Sequence, residues 1–254
     1  MTTVFAQVRS GEGVPVVLLH GFGGDHTAWI GVVQRLPRSV PTLTYDLPGH
    51  GRSLGVEGGG RVPAMAKAIL ADLDARGIGR FHLAGHSMGG ATATMMAMRA
   101  PDRVASLTLL APGGYGPEIA VDVLRDWAAA SARPAIARAL GRMTAPGHLF
   151  GAFEIGRVEA LRRRSGQVAV LRAMAEGLAD AEGRQGTFAR EHVAALPRAT
   201  LVWGDADPIL PPHHADGLDT AMTVVRVPGA GHMLMEERPR EVAEAIGASI
   251  DRNP

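Results

Sequence analysis

Short apolar runs alternate with longer stretches of helical spacing along the first half of the chain. The run Val14-Pro15-Val16-Val17-Leu18-Leu19 stops at His20-Gly21, Thr42-Leu43-Thr44-Tyr45 stops at Asp46, and Phe81-His82-Leu83-Ala84 stops at Gly85. A fourth, Ser106-Leu107-Thr108-Leu109-Leu110, ends before Pro112-Gly113. Runs this short, mostly apolar and closed by Gly or Pro, are predicted to be strands buried on both faces. Between them, residues 27–36, 62–76 and 88–100 have the length and spacing of helices. Strand–helix–strand alternation predicts an α/β fold with a mostly parallel sheet flanked by helices.

The pattern changes at residue 113. From 118 to about 196 the chain reads as helices alone, over 122–130, 135–143, 154–164 and 168–179, with breakers at Pro134, Pro146-Gly147, Gly166 and Gly183. Strand character returns at 199–203 and 222–227. A last helix is expected over 238–250, with Val242, Ala245, Ile246 and Ile250 in its apolar stripe. The expected division is therefore a core of residues 1–113 and 194–254, interrupted by a helical cap over 114–193.

Composition narrows the class. Of 254 residues, 46% are apolar and 20% charged, with Lys+Arg 26 against Asp+Glu 25, a net charge of +1. That balance excludes a disordered chain. No apolar run approaches the ~18 residues of a membrane span, and residues 1–10 lack the charged and apolar regions of a secretory signal, so no membrane is expected as a partner and the cytoplasm is the default location. Cysteine is absent, which removes disulfides, thiolate metal sites and cysteine nucleophiles together. The cluster Arg162, Arg163, Arg164, with Arg157 and Arg172, is balanced by Glu154, Glu159 and Glu176 and has no interleaved aromatics. It reads as a solvated helix face, and nucleic acid is not expected as a partner.

Chemistry concentrates where strands end. Gly85-His86-Ser87-Met88-Gly89 is a G-x-S-x-G between a predicted strand and a predicted helix. A sharp strand-to-helix turn leaves no room for side chains at the flanking positions and holds the serine hydroxyl exposed at the end of the sheet. A serine hydroxyl needs a neighbouring base to take its proton, and the last β-run ends in Pro228-Gly229-Ala230-Gly231-His232. The run before it ends in Trp203-Gly204-Asp205-Ala206-Asp207-Pro208, which brings Asp205 and Asp207 to the neighbouring loop. Catalytic groups of open α/β sheets gather beyond the carboxyl ends of the strands, so these loops face one crevice. His232 would serve as general base and then acid, oriented by a carboxylate that residue type alone leaves open between Asp205 and Asp207. The backbone N–H of Met88, at the helix start, is placed to stabilise an oxyanion. His213-His214 reads as surface, since adjacent residues on a helix point apart and no carboxylate cluster accompanies them; no metal or cofactor is expected.

Five stretches together carry a family resemblance: His20-Gly21-Phe22-Gly23-Gly24, Asp46-Leu47-Pro48-Gly49-His50-Gly51-Arg52-Ser53, Gly85-His86-Ser87-Met88-Gly89-Gly90, Gly204-Asp205-Ala206-Asp207 and Gly231-His232. Most of the chain resembles the α/β-hydrolase superfamily, in the branch with a helical cap after the sixth core strand. The resemblance implies Ser87 as nucleophile, Asp207 as acid, His232 as base and the backbone N–H of Phe22 as the second oxyanion donor. It also implies that His20, His50, Asp46, Arg52 and Ser53 brace loops. Candidate pocket residues are Trp127, Leu149, Phe150, Phe153 and Met174 of the cap, with Met233, Leu234 and Met235 beside the base. Arg125, Arg157 or Arg172 is a candidate for binding a substrate carboxylate.

Three functions remain open. The first is hydrolysis of a small to medium carboxylic ester through an acyl-enzyme, with a small molecule and water as the partners. The second is carbon–carbon bond cleavage of a ketone. The chain is similar to the meta-cleavage product hydrolases at Ser87-Met88-Gly89-Gly90 and Pro112-Gly113-Gly114, although those enzymes carry a tryptophan where this chain has Met233. The stretch from Leu110 to Glu118 also resembles the hydrolase-like domain of acetoin dehydrogenase acyltransferase components. Those carry a lipoyl domain in front of it, and since nothing precedes the core in this sequence, carrier-linked transfer is not expected. The third is ligand binding without catalysis on the same fold.

Overall fold

The structure, a computed structural model, describes residues 3–196 and 199–252. Residues 1, 2, 253 and 254, at the ends of the expected core, and 197–198 lie outside the described residues. Seven strands form one sheet in the order β1-β3-β2-β4-β5-β6-β7. They are β1 (Ala6–Arg9), β2 (Val16–Leu19), β3 (Thr42–Tyr45), β4 (Phe81–His86), β5 (Val104–Leu110), β6 (Ala199–Gly204) and β7 (Thr223–Val227). Neighbours from β3 through β7 pair in parallel, and β1 pairs antiparallel with β3 at the edge. Every residue of β4 and β5 is buried, as required of central strands covered on both faces.

The helices of the core are α1 (Ile30–Val33), α2 (Val62–Ala75), α3 (Met88–Arg99), α9 (Leu234–Glu237) and α10 (Pro239–Asp251). α3 packs on β4 and β5 and against α2, while α10 packs against α1, β5 and β6. The stripe on α10 behaves as its spacing predicts: Val242 and Ile246 are buried and Ala245 and Ile250 half-buried. Between β5 and β6 the chain forms α4 (Val121–Ala129), α5 (Arg133–Gly141), α6 (Ala152–Arg162), α7 (Gln167–Ala175) and α8 (Arg190–Ala194). This helical segment follows the fifth of the strands described, the one that the resemblance counts as sixth. Among the described residues no helix is long and apolar enough to cross a membrane.

Three local expectations change. Residues 27–36 form a 3-10 turn, His26–Trp29, followed by the single-turn α1. Asp25 caps that turn by accepting from Thr27 N at 2.9 Å, while Gly31 and the β-branched Val32 and Val33 weaken a longer helix. β1 has no counterpart in the sequence reading, because a four-residue edge strand of composition Ala-Gln-Val-Arg carries no apolar run. The third concerns the arginine cluster. Arg163 and Arg164 are exposed, but Arg162 is 4% exposed. Its guanidinium lies 4.4 Å from the centre of the Trp127 ring, and Nη1 donates to Gly23 O at 2.8 Å. The end of α6 turns inward against the loop after β2, so this residue is not part of a solvated face.

Candidate active site

The loops at the carboxyl ends of β2, β4, β6 and β7 meet at one rim. β4 runs straight into α3 through Ser87, whose φ of 53° and ψ of −116° lie outside the regions that non-glycine residues ordinarily adopt. The flanking glycines are required by close approach. A Cβ at Gly85 would stand 2.3 Å from Gly89 O, and one at Gly89 would stand 2.3 Å from Leu19 O.

His232 faces this turn from the loop after β7. Its Nε2 accepts from Ser87 Oγ at 3.0 Å, and its Nδ1–H donates to Asp207 Oδ2 at 2.9 Å. The carboxylate fixes that tautomer, since an acceptor-only oxygen requires the proton on Nδ1. The other oxygen of Asp207 accepts from Ile209 N at 2.8 Å and Leu210 N at 3.0 Å. Asp205 has a different partner: its Oδ1 accepts from Gly229 N at 2.7 Å and braces the loop before the histidine. Of the two aspartates it is thus Asp207, the one the resemblance implies, that contacts the imidazole.

The loop after β2 is held by imidazoles and by the helical segment. His20 accepts from Leu47 N at 3.0 Å through Nε2 and donates from Nδ1 to Gly21 O at 2.7 Å. His50 accepts from Gly23 N at 3.1 Å. Burial lowers the pKa of both, that of His50 to about 3, so both are neutral near pH 7. Trp127 of α4 donates from Nε1 to Phe22 O at 3.0 Å. The Met88 N–H opens α3 and therefore has no intrahelical acceptor. Asp46 accepts from His26 N and Arg52 N, each at 2.7 Å, and Ser53 Oγ accepts from Phe5 N at 2.8 Å. The loop-bracing expectation for these residues matches their contacts.

Trp127, Phe150 and Met233 border a small cavity together with Ser87 and His232. Phe153 does not; it is 63% exposed and borders a surface hollow. Leu149 is also exposed. Of the three arginines, Arg157 borders the cavity, whereas Arg125 pairs with Glu176 at the surface and Arg172 is exposed.

Two carboxylates that hold neighbouring loops carry no local signal in the sequence. Glu237 is buried, and its two oxygens accept from Gly231 N at 2.9 Å, Met233 N at 3.0 Å and Ala145 N at 3.0 Å. It therefore clamps the backbone on both sides of His232. Nothing in Glu236-Glu237 marks such a role in sequence, because adjacent acidic residues at a helix start ordinarily face solvent. The other is Glu118. The surface reading of His213-His214 holds for His213 alone: His214 is 3% exposed, and Glu118 contacts their Nε2 atoms at 3.3 and 2.7 Å. The contact spans 95 residues of sequence, so spacing within the chain could not reveal it.

The chain matches the model of the "Alpha/beta hydrolase family" over residues 16–245. It is 35% identical over 241 residues to the dihydrolipoyllysine-residue acetyltransferase component of the acetoin cleaving system of Pseudomonas putida, a match covering 95% of this chain and 64% of that protein. The chain thus spans a little under two thirds of that relative. A 2-hydroxy-6-oxo-6-phenylhexa-2,4-dienoate hydrolase of Comamonas testosteroni is 37% identical over 113 residues, 42% of this chain and 40% of that one. A meta-cleavage product hydrolase structure from Pseudomonas fluorescens IP01 superposes with a TM-score of 0.85 at 18% identity, covering 99% of this chain and 96% of that one. At that identity the likeness concerns the fold.

Proposed function

Since the chain belongs to the alpha/beta hydrolase family, we propose that it is a serine hydrolase that cleaves a small to medium carboxylic ester through an acyl-enzyme. The observation that carries this reading is the line from Ser87 Oγ through His232 to Asp207, with contacts of 3.0 and 2.9 Å. In this reading Ser87 Oγ attacks the carbonyl carbon while His232 Nε2 takes its proton, and Asp207 stabilises the imidazolium. Negative charge on the carbonyl oxygen is met by the N–H groups of Phe22 and Met88. His232 then returns the proton to the departing alcohol, and water attacks the acyl-enzyme by the same steps reversed. Residues 114–193 act as a cap over the crevice: Trp127 and Arg162 reach from it to the loop that bears the Phe22 N–H.

The test is turnover of short-chain p-nitrophenyl esters set beside a dienoate ring-fission product. Ester hydrolysis with kcat reduced about 10⁴-fold or more in Ser87→Ala is the expected result. Turnover of the dienoate alone, or an alanine variant within about tenfold of the parent, contradicts it.

One further reading has support in the 35% identity, over 95% of this chain, to the acetyltransferase component. The same acyl-enzyme would then pass its acyl group to a thiol in place of water. Formation of a thioester on adding a dithiol acceptor to the ester assay distinguishes the two fates.

A further inference from the structure

Two unequal cavities meet at Ser87. One, of about 40 Å³, is bordered by Ser87, His232 and Trp127, and also by Glu154, Arg157 and Glu236. The other, of about 410 Å³, is bordered by Ser87, Met88 and Phe22, with apolar walls that include Met95, Leu178 and Phe188; His232 does not border it. In acyl transfer the general acid delivers its proton to the departing atom, so the leaving group must lie on the His232 side of the serine. The small cavity therefore takes the leaving group and the large one the acyl chain. A leaving group confined this way is short.

The polar groups of the small cavity define its chemistry further. Arg157 donates from Nη1 to Thr27 Oγ1 at 2.7 Å, and its Nη2 reaches Glu236 Oε1 at 3.4 Å. Glu236 Oε2 is buried and has no hydrogen-bond partner among the described residues, although the side chain is 9% exposed. A buried carboxylate oxygen without a donor is costly, and a ligand that supplies the donor removes the cost. Asp25 and Glu154 also border this cavity, so three carboxyl groups accompany one guanidinium. That balance disfavours an anionic leaving group. Burial pushes the Glu236 carboxyl up to about 7, and a donor arriving with the substrate would favour its ionised form.

On the serine-hydrolase reading above, we infer that the preferred substrate has a short alcohol leaving group bearing a second hydrogen-bond donor, a hydroxyl or an ammonium, received by the Glu236 carboxylate. The cleaved bond is the ordinary one: Ser87 Oγ joins the acyl carbon, the alcohol oxygen departs with the proton from His232, and Glu236 acts as a specificity residue.

The experiment compares three butanoate esters, those of 1,2-ethanediol, 2-methoxyethanol and glycolate, at pH 8. The hydroxyethyl ester is expected to exceed the methoxyethyl ester in kcat/KM by about tenfold or more, the worth of one hydrogen bond to a charged acceptor. The glycolate ester is expected to be the slowest. In Glu236→Leu the hydroxyethyl/methoxyethyl ratio falls to near one, whereas Glu236→Gln, whose amide oxygen still accepts, keeps part of it. The ratio is read within one preparation, so partial misfolding does not alter it. A ratio near one in the parent, or an undiminished ratio in Glu236→Leu, overturns the assignment. Reaction of Ser87 with a fluorophosphonate without turnover of the hydroxyethyl ester also overturns the assignment alone. Absence of both overturns the hydrolase reading with it.

Discussion

At Ser87 the backbone holds a non-glycine residue at positive φ, a strain of about 1–3 kcal/mol that persists where its surroundings over-determine it. Here Ser87 N donates to Leu110 O and Ser87 O accepts from Ala91 N and Gly113 N, which pins the turn from three sides. His232 is pinned comparably by Glu237, and this makes Glu237 a positioning residue. Glu237→Gln is expected to lower kcat by up to about 10²-fold with KM little changed, because misplacing a base by about 1 Å has that effect. A loss confined to KM, or no loss in a folded variant, would contradict the role. At this scale the sequence made part of the candidate site legible. Ser87, His232 and the pair Asp205/Asp207 stand in recognisable turns, because their backbone needs force glycine beside them. Glu237, Glu236 and Arg162 were not legible, since each acts through contacts made by one side chain across the fold, and no local backbone constraint announces them.

The elements show the same division. β2 to β7 follow from short apolar or β-branched runs, and α2, α3 and α10 from helical spacing, because burial imposes a pattern on consecutive residues. β1 does not, being an edge strand half in solvent. The meeting of α4 and α6 with the loop after β2 was also hidden. Trp127 and Arg162 reach that loop over 105 and 139 residues of sequence. Burial lowers the Arg162 guanidinium to about 10, and its Nε and Nη2 have no hydrogen-bond partner among the described residues. Arg162→Met, which keeps the packing on Trp127, is expected to change folding stability by less than about 2 kcal/mol, since an unpaired buried charge contributes little net stability. It is expected to lower kcat by about tenfold, because the Gly23 carbonyl loses its donor and the loop that bears the proposed oxyanion donor of Phe22 loses its fixed geometry. An unchanged kcat would show that α6 covers the site without bracing it.

Across the whole molecule, neutral histidines are built into the rim of the sheet. Burial holds the pKa of His20, His50 and His86 below the usual 6.5, with His50 at about 3. Such a group takes up a proton in the unfolded chain before the folded one, so its contribution is present above about pH 6.5 and is lost as the pH falls toward the folded value. Glu236 works the other way: with a folded pKa of about 7 it favours folding as the pH falls from about 7 to the unfolded carboxyl range. Burial lowers His82 and His214 likewise, while His26 is raised because its burial is outweighed by its hydrogen bond and charge attraction to Asp46, so five lowered histidines stand against one raised histidine and one raised carboxyl. Unfolding free energy from urea titrations is therefore expected to fall between pH 6.5 and 4.5, with a slope of about 1.4 kcal/mol per pH unit for each uncompensated group. His50→Gln should flatten the slope, and a parent stability that is constant across this window would contradict the burial of neutral imidazoles.

The proton path from Ser87 to Asp207 is tested most directly by the rate at which a fluorophosphonate modifies the protein, followed by mass spectrometry of the peptides. A single adduct on Ser87 is expected, with its rate of formation reduced at least about 10²-fold in His232→Ala, since the hydroxyl then has no base. A smaller reduction is expected in Asp207→Asn, and Asp205→Asn should react close to the parent rate. An adduct on another residue, or an undiminished rate at Ser87 without His232, would contradict the account.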